Sequence, residues 1–256
     1  GKHGNGTLVM SGSGANTFAG STQISGGVYR AEKSTAFGTT GGGVNVLYGA
    51  TVELAGGVII AAETLTLNGN GEGGFAAIPL RNVSGTNTWQ GNVVLNSNRT
   101  AIETVAGSEL ILNGVVSGNA FNLFGTGTTE FGGTASNTFT TTSYQWEGTL
   151  ELNKTAGVNA ISAIGNGAEI RVGNYYGTDN SVVLRNLANE QIADAGFRLR
   201  VMQTGVYDLN GFTESLRGRN DGTVNSDYDA LGLEVGSSGS GDVNLGGGIL
   251  NLNNAT

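Results

Sequence analysis

A phrase near the amino terminus returns twice, and this repetition limits the folds that the chain can adopt. Asn16-Thr17-Phe18 recurs as Asn87-Thr88-Trp89 and again as Asn137-Thr138-Phe139. The intervals of 71 and 50 residues are close to multiples of a unit of about 22 to 25 residues, a length typical of solenoid repeats. The repetition therefore predicts a stack of similar coils.

A second recurring phrase indicates that the coils are built from β-strands. The phrase is a turn glycine, a short strand with apolar residues two positions apart, and a closing small residue. It occurs at residues 49–57, 107–114, 167–174 and 205–211. A spacing of two is the period of a strand and not of a helix. With 46 glycines for tight corners and a single proline, Pro79, the sequence predicts an all-β chain.

The predicted architecture is one continuous β-solenoid over residues 1–256, a single elongated rod. Strands of successive coils would lie about 4.8 Å apart, so about eleven coils would make a rod on the order of 50 Å long. A loop or bulge is expected near Pro79, and one helical turn at residues 186–195. Strand spacing alone also fits a β-sandwich, but a sandwich does not repeat whole phrases. The chain is interpreted as an excerpt of a longer repeat protein or a subunit of a fibre.

Charge and composition exclude several classes of function. The net charge is −8, with 12 basic and 20 acidic residues, so nucleic acid is not an expected partner. The chain has no cysteine, which excludes disulfides and thiol catalysis. No apolar run approaches the roughly 20 residues that a membrane-spanning helix needs.

Several passages, in their order along the chain, resemble the autotransporter-associated β-strand repeat of bacterial surface proteins. The passages are GNGTLVMSGSGANTFAGSTQISGG at residues 4–27, RNVSGTNTWQGNVVL at 81–95, and the stretches 148–164, 189–201 and 207–216. The resemblance implies a right-handed parallel β-helix that is exported to the surface of a bacterium with an outer membrane. It also implies a role as a stalk, adhesin or passenger.

Acidic residues in the strand phrases are the first candidates for chemistry. An acyl-transfer triad needs a histidine base, and the only histidine, His3, lies at the terminus. Glycosidases and lyases need clustered carboxylates on one face. Five acidic residues at similar register could form such a stripe: Glu53, Glu109, Glu151, Glu169 and Asp208. The simpler interpretation is that they are solvated positions alternating with core residues.

Two further groups suggest ligand binding. Asp221, Asp227 and Asp229 gather in one polar loop and offer oxygen ligands of the kind that Ca²⁺ prefers, although the spacing is not that of an EF-hand. Four aromatic residues could form a surface on which sugars stack, or could pack at coil edges. They are Tyr144, Trp146, Tyr175 and Tyr176. The glycines at 41–43 lack the lysine and helix of a phosphate loop and are expected to form turns.

The sequence is thus interpreted as an extracellular structural β-solenoid of a bacterial cell surface. It would act as an adhesin stalk or passenger, or assemble end to end into fibres through its exposed end strands. No catalytic residue, cofactor site or metal site is assigned. The alternative is a surface β-helix that binds or cleaves polysaccharide, with glycans as its partners.

Overall fold

The computed structural model describes residues 1–70, 78–162, 169–193, 198–217, 233–236 and 241–253. Within these ranges the protein is all-β and contains no helix. The described strands are short, which fits a chain whose turn residues recur every few positions.

The strands are numbered in chain order. They are β1 (Thr7–Met10), β2 (Thr22–Ile24), β3 (Gly27–Ala31), β4 (Val44–Val46), β5 (Ala50–Ala55), β6 (Ile59–Ile60), β7 (Leu65–Leu67), β8 (Leu80–Ser84), β9 (Thr86–Trp89), β10 (Val93–Leu95), β11 (Thr100–Thr104), β12 (Glu109–Leu112), β13 (Val116–Gly118), β14 (Phe121–Phe124), β15 (Thr128–Gly133), β16 (Thr138–Phe139), β17 (Ser143–Gln145), β18 (Thr149–Lys154), β19 (Glu169–Val172), β20 (Val182–Asn186), β21 (Arg198–Val201), β22 (Gly205–Asp208), β23 (Thr213–Arg217), β24 (Leu233–Val235), β25 (Asp242–Asn244) and β26 (Ile249–Asn253).

Three large sheets contain nearly all of these strands. Sheet 1 has ten strands in the order β1-β3-β5-β8-β11-β14-β17-β19-β21-β24. Sheet 2 has eight, β6-β9-β12-β15-β18-β20-β22-β25, and sheet 3 has six, β2-β4-β7-β10-β13-β16, while β23 and β26 form a separate pair. Pairing is parallel throughout, from β1 with β3 to β23 with β26. Because neighbours in a sheet are one coil apart in sequence, this is the arrangement of a β-solenoid and not of an antiparallel sandwich.

Coil length varies much more than the repeat unit suggested. In sheet 1, Thr7 pairs with Val28, which is 21 residues further along, whereas Val201 pairs with Val235, 34 residues further along. The strand pairs that these connections join are in register with one another. A solenoid tolerates insertions of this kind since loop closure becomes only slightly more costly with length.

The interior is shared by all three sheets. Phe121 of β14, Phe131 of β15 and Phe139 of β16 come from sheets 1, 2 and 3, and all three are fully buried. The ring centroid of Phe121 lies 5.5 Å from that of Phe131 and 5.2 Å from that of Phe139, in edge-to-face contacts. Edge-to-face packing is a preferred arrangement of aromatic rings. The three sheets therefore enclose one continuous apolar core.

Within each sheet the core is built from columns of like residues. On sheet 3, Val44, Leu65, Val93 and Val116 are successive partners in register. All of them are buried. Each inward side chain thus packs on its counterpart one coil away, which favours residues that pack well on a pleated surface.

The repeated Asn-Thr-aromatic phrase has a physical explanation at the corners between strands. The side-chain oxygen of Asn137 accepts a hydrogen bond from the amide of Val116, at 2.8 Å, and its amide nitrogen donates to the carbonyl of Ala160, also at 2.8 Å. Asn137 is fully buried, so these bonds satisfy backbone groups that water does not reach. Asn16 likewise donates to the carbonyl of Ala36. The asparagine links adjacent coils, and in the second and third copies the aromatic residue two positions later is buried in the core.

Local irregularities were only partly predicted. A bulge was expected near Pro79, and the pairing of β5 with β8 does shift, because Leu54 pairs with Asn82 and Ala55 with Ser84. The helical turn expected at residues 186–195 is wrong over the described residues. Asn186 ends β20, and Ile192 forms an isolated parallel bridge with Ile161. The demands of stacking on the coil below outweigh the local propensity of this stretch.

Replacing Asn87 by alanine tests the importance of the buried asparagines of this phrase. The Asn87 oxygen accepts from the amides of Gly57 and Val58, at 2.9 and 2.7 Å, and its nitrogen donates to the Asn82 side chain at 2.7 Å. Losing this side chain leaves the buried Val58 amide and the buried Asn82 oxygen unsatisfied, each worth roughly 1 to 3 kcal/mol. We expect Asn87→Ala to lower the free energy of unfolding by about 3 kcal/mol or more in urea titrations. Asn45→Ala, at an exposed position, should cost less than about 1 kcal/mol. Equal losses would contradict the assignment.

Candidate functional site

The outer face of sheet 1 carries a ladder of alternating charges. Arg30, Glu53, Arg81 and Glu103 are successive partners in register. The Glu53 carboxylate forms ion pairs with the guanidinium groups of Arg30, at 2.7 Å, and Arg81, at 2.8 Å. Arg81 also forms an ion pair with Glu103. Opposite charges on adjacent strands stabilise the pairing. Since Glu53 is nearly buried and bonded to two arginines, its role is to hold coils together.

Glu169 has the same role further along sheet 1. It is buried, and Arg171 and Arg198 both bond to it. Arg198 and Arg200 in turn lie 3.7 and 2.9 Å from Glu234 in the next coil. The carboxylates of this second ladder are therefore also held in ion pairs with arginines of the same sheet.

The predicted acidic stripe is divided between two sheets. Glu53 and Glu169 lie on sheet 1, while Glu109, Glu151 and Asp208 lie on sheet 2. The recurring glycine-strand phrase from which the stripe was inferred occupies β5 and β19 on sheet 1, but β12 and β22 on sheet 2. A similar local pattern therefore does not place these side chains in one row.

Three glutamates do converge on the outer face of sheet 2. Carboxylate oxygens of Glu109, Glu130 and Glu151 all lie within 4.8 Å of one another. Glu130 and Glu151 are direct partners in the pairing of β15 with β18, and Glu109 is contributed by β12. We call these three residues the glutamate cluster.

Each member of the glutamate cluster has a different polar environment. Asn153 donates to Glu130 at 3.0 Å, and the Thr86 hydroxyl donates to Glu109 at 3.1 Å. Arg185 lies 3.5 Å from Glu151 but is held more closely by Asp208, at 2.9 Å. The cluster is thus only partly neutralised.

Glu130 is the perturbed member of the cluster. Burial raises the pKa of its carboxyl above the ordinary value, and the charges of Glu109 and Glu151 raise it further, while the hydrogen bond from Asn153 opposes the shift. A carboxyl with a raised pKa beside two further acidic side chains is an arrangement used in acid–base chemistry. It is equally the expected result of stacking acidic residues on adjacent strands.

A polar groove adjoins the glutamate cluster. It has a volume of about 400 Å³ and is lined by threonine, serine and glycine residues together with Glu109 and Glu151. Its threonine hydroxyls and carboxylates can exchange hydrogen bonds with a hydroxylated ligand. Sequence analysis missed Glu130 because the strand in GTTEFGG lacks the apolar residues two positions apart that define the recurring phrase. Its alternation with the buried Phe131 is the signal that would have marked it as outward-facing.

The predicted aromatic residues fall together at one corner of sheet 1. Tyr144 lies in β17, Trp146 follows that strand directly, and Tyr175 and Tyr176 lie in the segment after β19. Tyr144 and Trp146 are half-buried, whereas Tyr175 and Tyr176 are exposed. The structure therefore places these four residues at the coil surface and not in the core.

The remaining sequence candidates have simpler positions. His3 is exposed, and its Nδ1 lies 2.6 Å from the hydroxyl of Ser25. The glycines at 41–43 lie in a turn, where the amide of Gly43 donates to Glu63 at 2.8 Å. The acidic loop with Asp221, Asp227 and Asp229 lies outside the described residues.

A chain of buried polar groups, which sequence analysis did not single out, crosses the interior near the later coils. The Lys154 ammonium donates to the carbonyl of Gly132 at 2.7 Å, and the Lys154 amide donates to the side chain of Gln191 at 2.8 Å. The main-chain amide of Gln191 then donates to the carboxylate of Glu214, also at 2.8 Å. Burial lowers the pKa of Lys154 to about 8 and raises that of Glu214 to about 7.

Comparison with known proteins gives no relative: no family model, curated protein or solved structure matches the chain. Over the residues described, no helix has the length and apolar character needed to cross a membrane.

Glu130→Gln is expected to stabilise the protein at neutral pH. The raised pKa means that ionisation of Glu130 costs stability, so the cost is absent below about pH 4 and present at pH 7. The amide oxygen can still accept from Asn153. Thermal unfolding should therefore show a higher Tm for the variant at pH 7 and little difference at pH 4. Glu147→Gln, exposed and outside the cluster, is the control; the same gain in both variants would contradict this account.

Glu214→Gln is expected to remove a pH dependence of stability. Because the pKa of Glu214 rises from 4.5 to about 7 on folding, stability is retained below about pH 4.5 and lost as the pH rises to 7. The full loss corresponds to roughly 3 kcal/mol. Relative to that of the unmodified chain, the free energy of unfolding of the variant should rise by about that amount between pH 4.5 and 8 in denaturant titrations. A difference in stability that is the same at every pH does not affect this comparison.

The exposed position Glu32 provides the matched control, since Glu32→Gln should leave the pH profile unchanged. A profile for Glu214→Gln that runs parallel to that of the unmodified chain would show that Glu214 does not titrate in this range.

Proposed function

We propose that this chain is a structural segment of an extracellular bacterial surface protein. In this proposal the coils form one right-handed, elongated rod that serves as the stalk or passenger of an adhesin, or assembles into fibres. The observation that carries the proposal is the ladder of sheet 1, in which ten parallel strands follow one another from Thr7 to Val235. The charged residues of that face bond mainly to neighbouring coils, as expected of a scaffold.

The exposed apolar residues at both ends of the stack support further stacking. In the region around β1, Leu8, Val9 and Phe18 are 39 to 44% exposed. In β26, Ile249 and Leu252 are 57 and 60% exposed. Unpaired strand edges next to apolar side chains favour pairing with further coils of the same chain or with another copy.

Localisation at the cell surface is part of the proposal, and it is supported by the resemblance of several passages to a repeat of bacterial surface proteins. The proposed role involves no catalysis, and the expected partners are neighbouring coils or copies and surface glycans. The net charge of −8 argues against nucleic acid.

Electron microscopy of the purified chain tests the proposal. Ten stacked strands at about 4.8 Å predict particles with a long axis of roughly 50 Å, or filaments built from them. Compact particles of equal dimensions would contradict it.

A charge on the first strand separates end-to-end assembly from other association. Val9→Lys places an ammonium on the edge strand β1 and should reduce association in analytical ultracentrifugation. Ser13→Lys adds the same charge at an exposed position outside the strands and should not. Equal effects of the two variants would argue against assembly through this edge.

A further inference from the structure

Two aromatic side chains at the corner after β17 form a parallel stack on the protein surface. The ring centroids of Tyr144 and Trp146 are 5.0 Å apart, and the ring planes differ by only 6°. Both residues are half-buried and face outward, because the buried Gln145 lies between them on the strand.

Two arginines flank the stack. The guanidinium carbons of Arg99 and Arg171 lie 5.0 and 5.1 Å from the centroid of the Tyr144 ring. Guanidinium groups in this position interact favourably with the ring and are held in place by it. Arg171 is also bonded to Glu169 through its Nε, and a guanidinium group has N–H donors beyond Nε.

A well-anchored segment extends the aromatic surface into the next coil. The amide of Gly173 donates to the carbonyl of Gln145 at 2.9 Å, and the Asn174 amide donates to the hydroxyl of Thr204, also at 2.9 Å. The side chain of Asn174 accepts from the amide of Tyr176 at 2.8 Å. The Asn174 side chain also donates to the main-chain carbonyl of Trp146 at 3.5 Å. These bonds hold the start of the segment beside Trp146.

This fixed segment presents Tyr176 with 86% of its surface exposed, and Tyr175 with 40%. The contact between Tyr144 and Trp146 within one coil accounts for those two rings, but it does not account for the ring of Tyr176, which is almost entirely in water. Exposed apolar groups next to one another on a rigid surface usually mark a binding site. We call Tyr144, Trp146, Tyr175 and Tyr176 with Arg99 and Arg171 the aromatic patch.

We propose that the aromatic patch binds polysaccharides whose pyranose rings carry carboxylates. The flat apolar C–H face of a pyranose ring packs on an aromatic ring, and Trp146 and Tyr176 offer rings with free surface. The guanidinium groups supply donors in a geometry that suits carboxylates. A polymer allows successive sugar units to contact the adjacent coils of β17 and β19 together with Arg99, which directly precedes β11. This inference adds a ligand to the proposed scaffold and does not depend on the chain forming fibres.

Binding assays with a panel of polyuronates test the proposal: polygalacturonate, alginate and hyaluronate, each compared with its carboxyl-reduced form. We expect at least one polyuronate to bind in isothermal titration or affinity electrophoresis. Its carboxyl-reduced form should bind several-fold more weakly. Tyr176→Ala should weaken binding about tenfold, as expected for loss of an aromatic anchor.

The control is Tyr48→Ala, which removes another exposed tyrosine, 65% exposed and outside the patch. It should leave binding unchanged. Trp146→Ala should weaken binding as Tyr176→Ala does, and Tyr176→Ala keeps the test decisive if the tryptophan variant folds poorly. The proposal is overturned if no polyuronate binds, if Tyr176→Ala behaves like Tyr48→Ala, or if the carboxyl-reduced polymers bind equally well. None of these results bears on whether the chain forms a rod, which microscopy decides separately.

Discussion

Parallel hydrogen bonding between each strand and its counterpart one coil away is the interaction on which the rest of this structure depends. In the described coils it pairs backbone groups with those of the neighbouring coil and fixes which side chains meet. Register is kept along each sheet, with a shift between β5 and β8, while the lengths of the connections vary, so coils of 21 and 34 residues stack in the same ladder. Packing, charge pairing and the positions of candidate sites all follow from this register.

Stacking brings equivalent positions of adjacent coils together, with different results inside and outside. Inward positions become apolar columns, as in Val44 and Leu65, because apolar neighbours pack well on one another. Outward positions bring side chains of adjacent coils together, so a ladder is stable when charges alternate, as with Arg30 and Glu53. Where like charges stack, as with Glu130 and Glu151, burial raises the pKa of the Glu130 carboxyl and the neighbouring carboxylates raise it further. The glutamate cluster thus departs from the alternation of charge seen in the ladder of Arg30 and Glu53.

The fold class was predictable from the sequence because period-two strands and repeated phrases both reflect stacking. The placement of side chains was less predictable, since similar phrases fall on different sheets; Trp89 lies on sheet 2 and Phe139 on sheet 3. For this reason the acidic stripe was wrong as a single row, and Glu130 was missed. The strand at Ser143–Gln145 was missed too, because its buried positions are the polar Ser143 and Gln145. The aromatic patch was predictable in composition but not in geometry, which depends on the corner after β17 and its neighbour in the next coil.

Pairs of spin labels on sheet 3 test the stacking most directly, and the absence of native cysteine makes site-specific labelling straightforward. Gln23 is separated from Ser117 by four strand-to-strand steps and from Thr138 by five. At about 4.8 Å per step, the account predicts backbone separations of roughly 19 and 24 Å, increasing by one step between the two pairs. Electron–electron distance measurements that show this increase would support the stack. Distances that do not increase with the number of coils would contradict it.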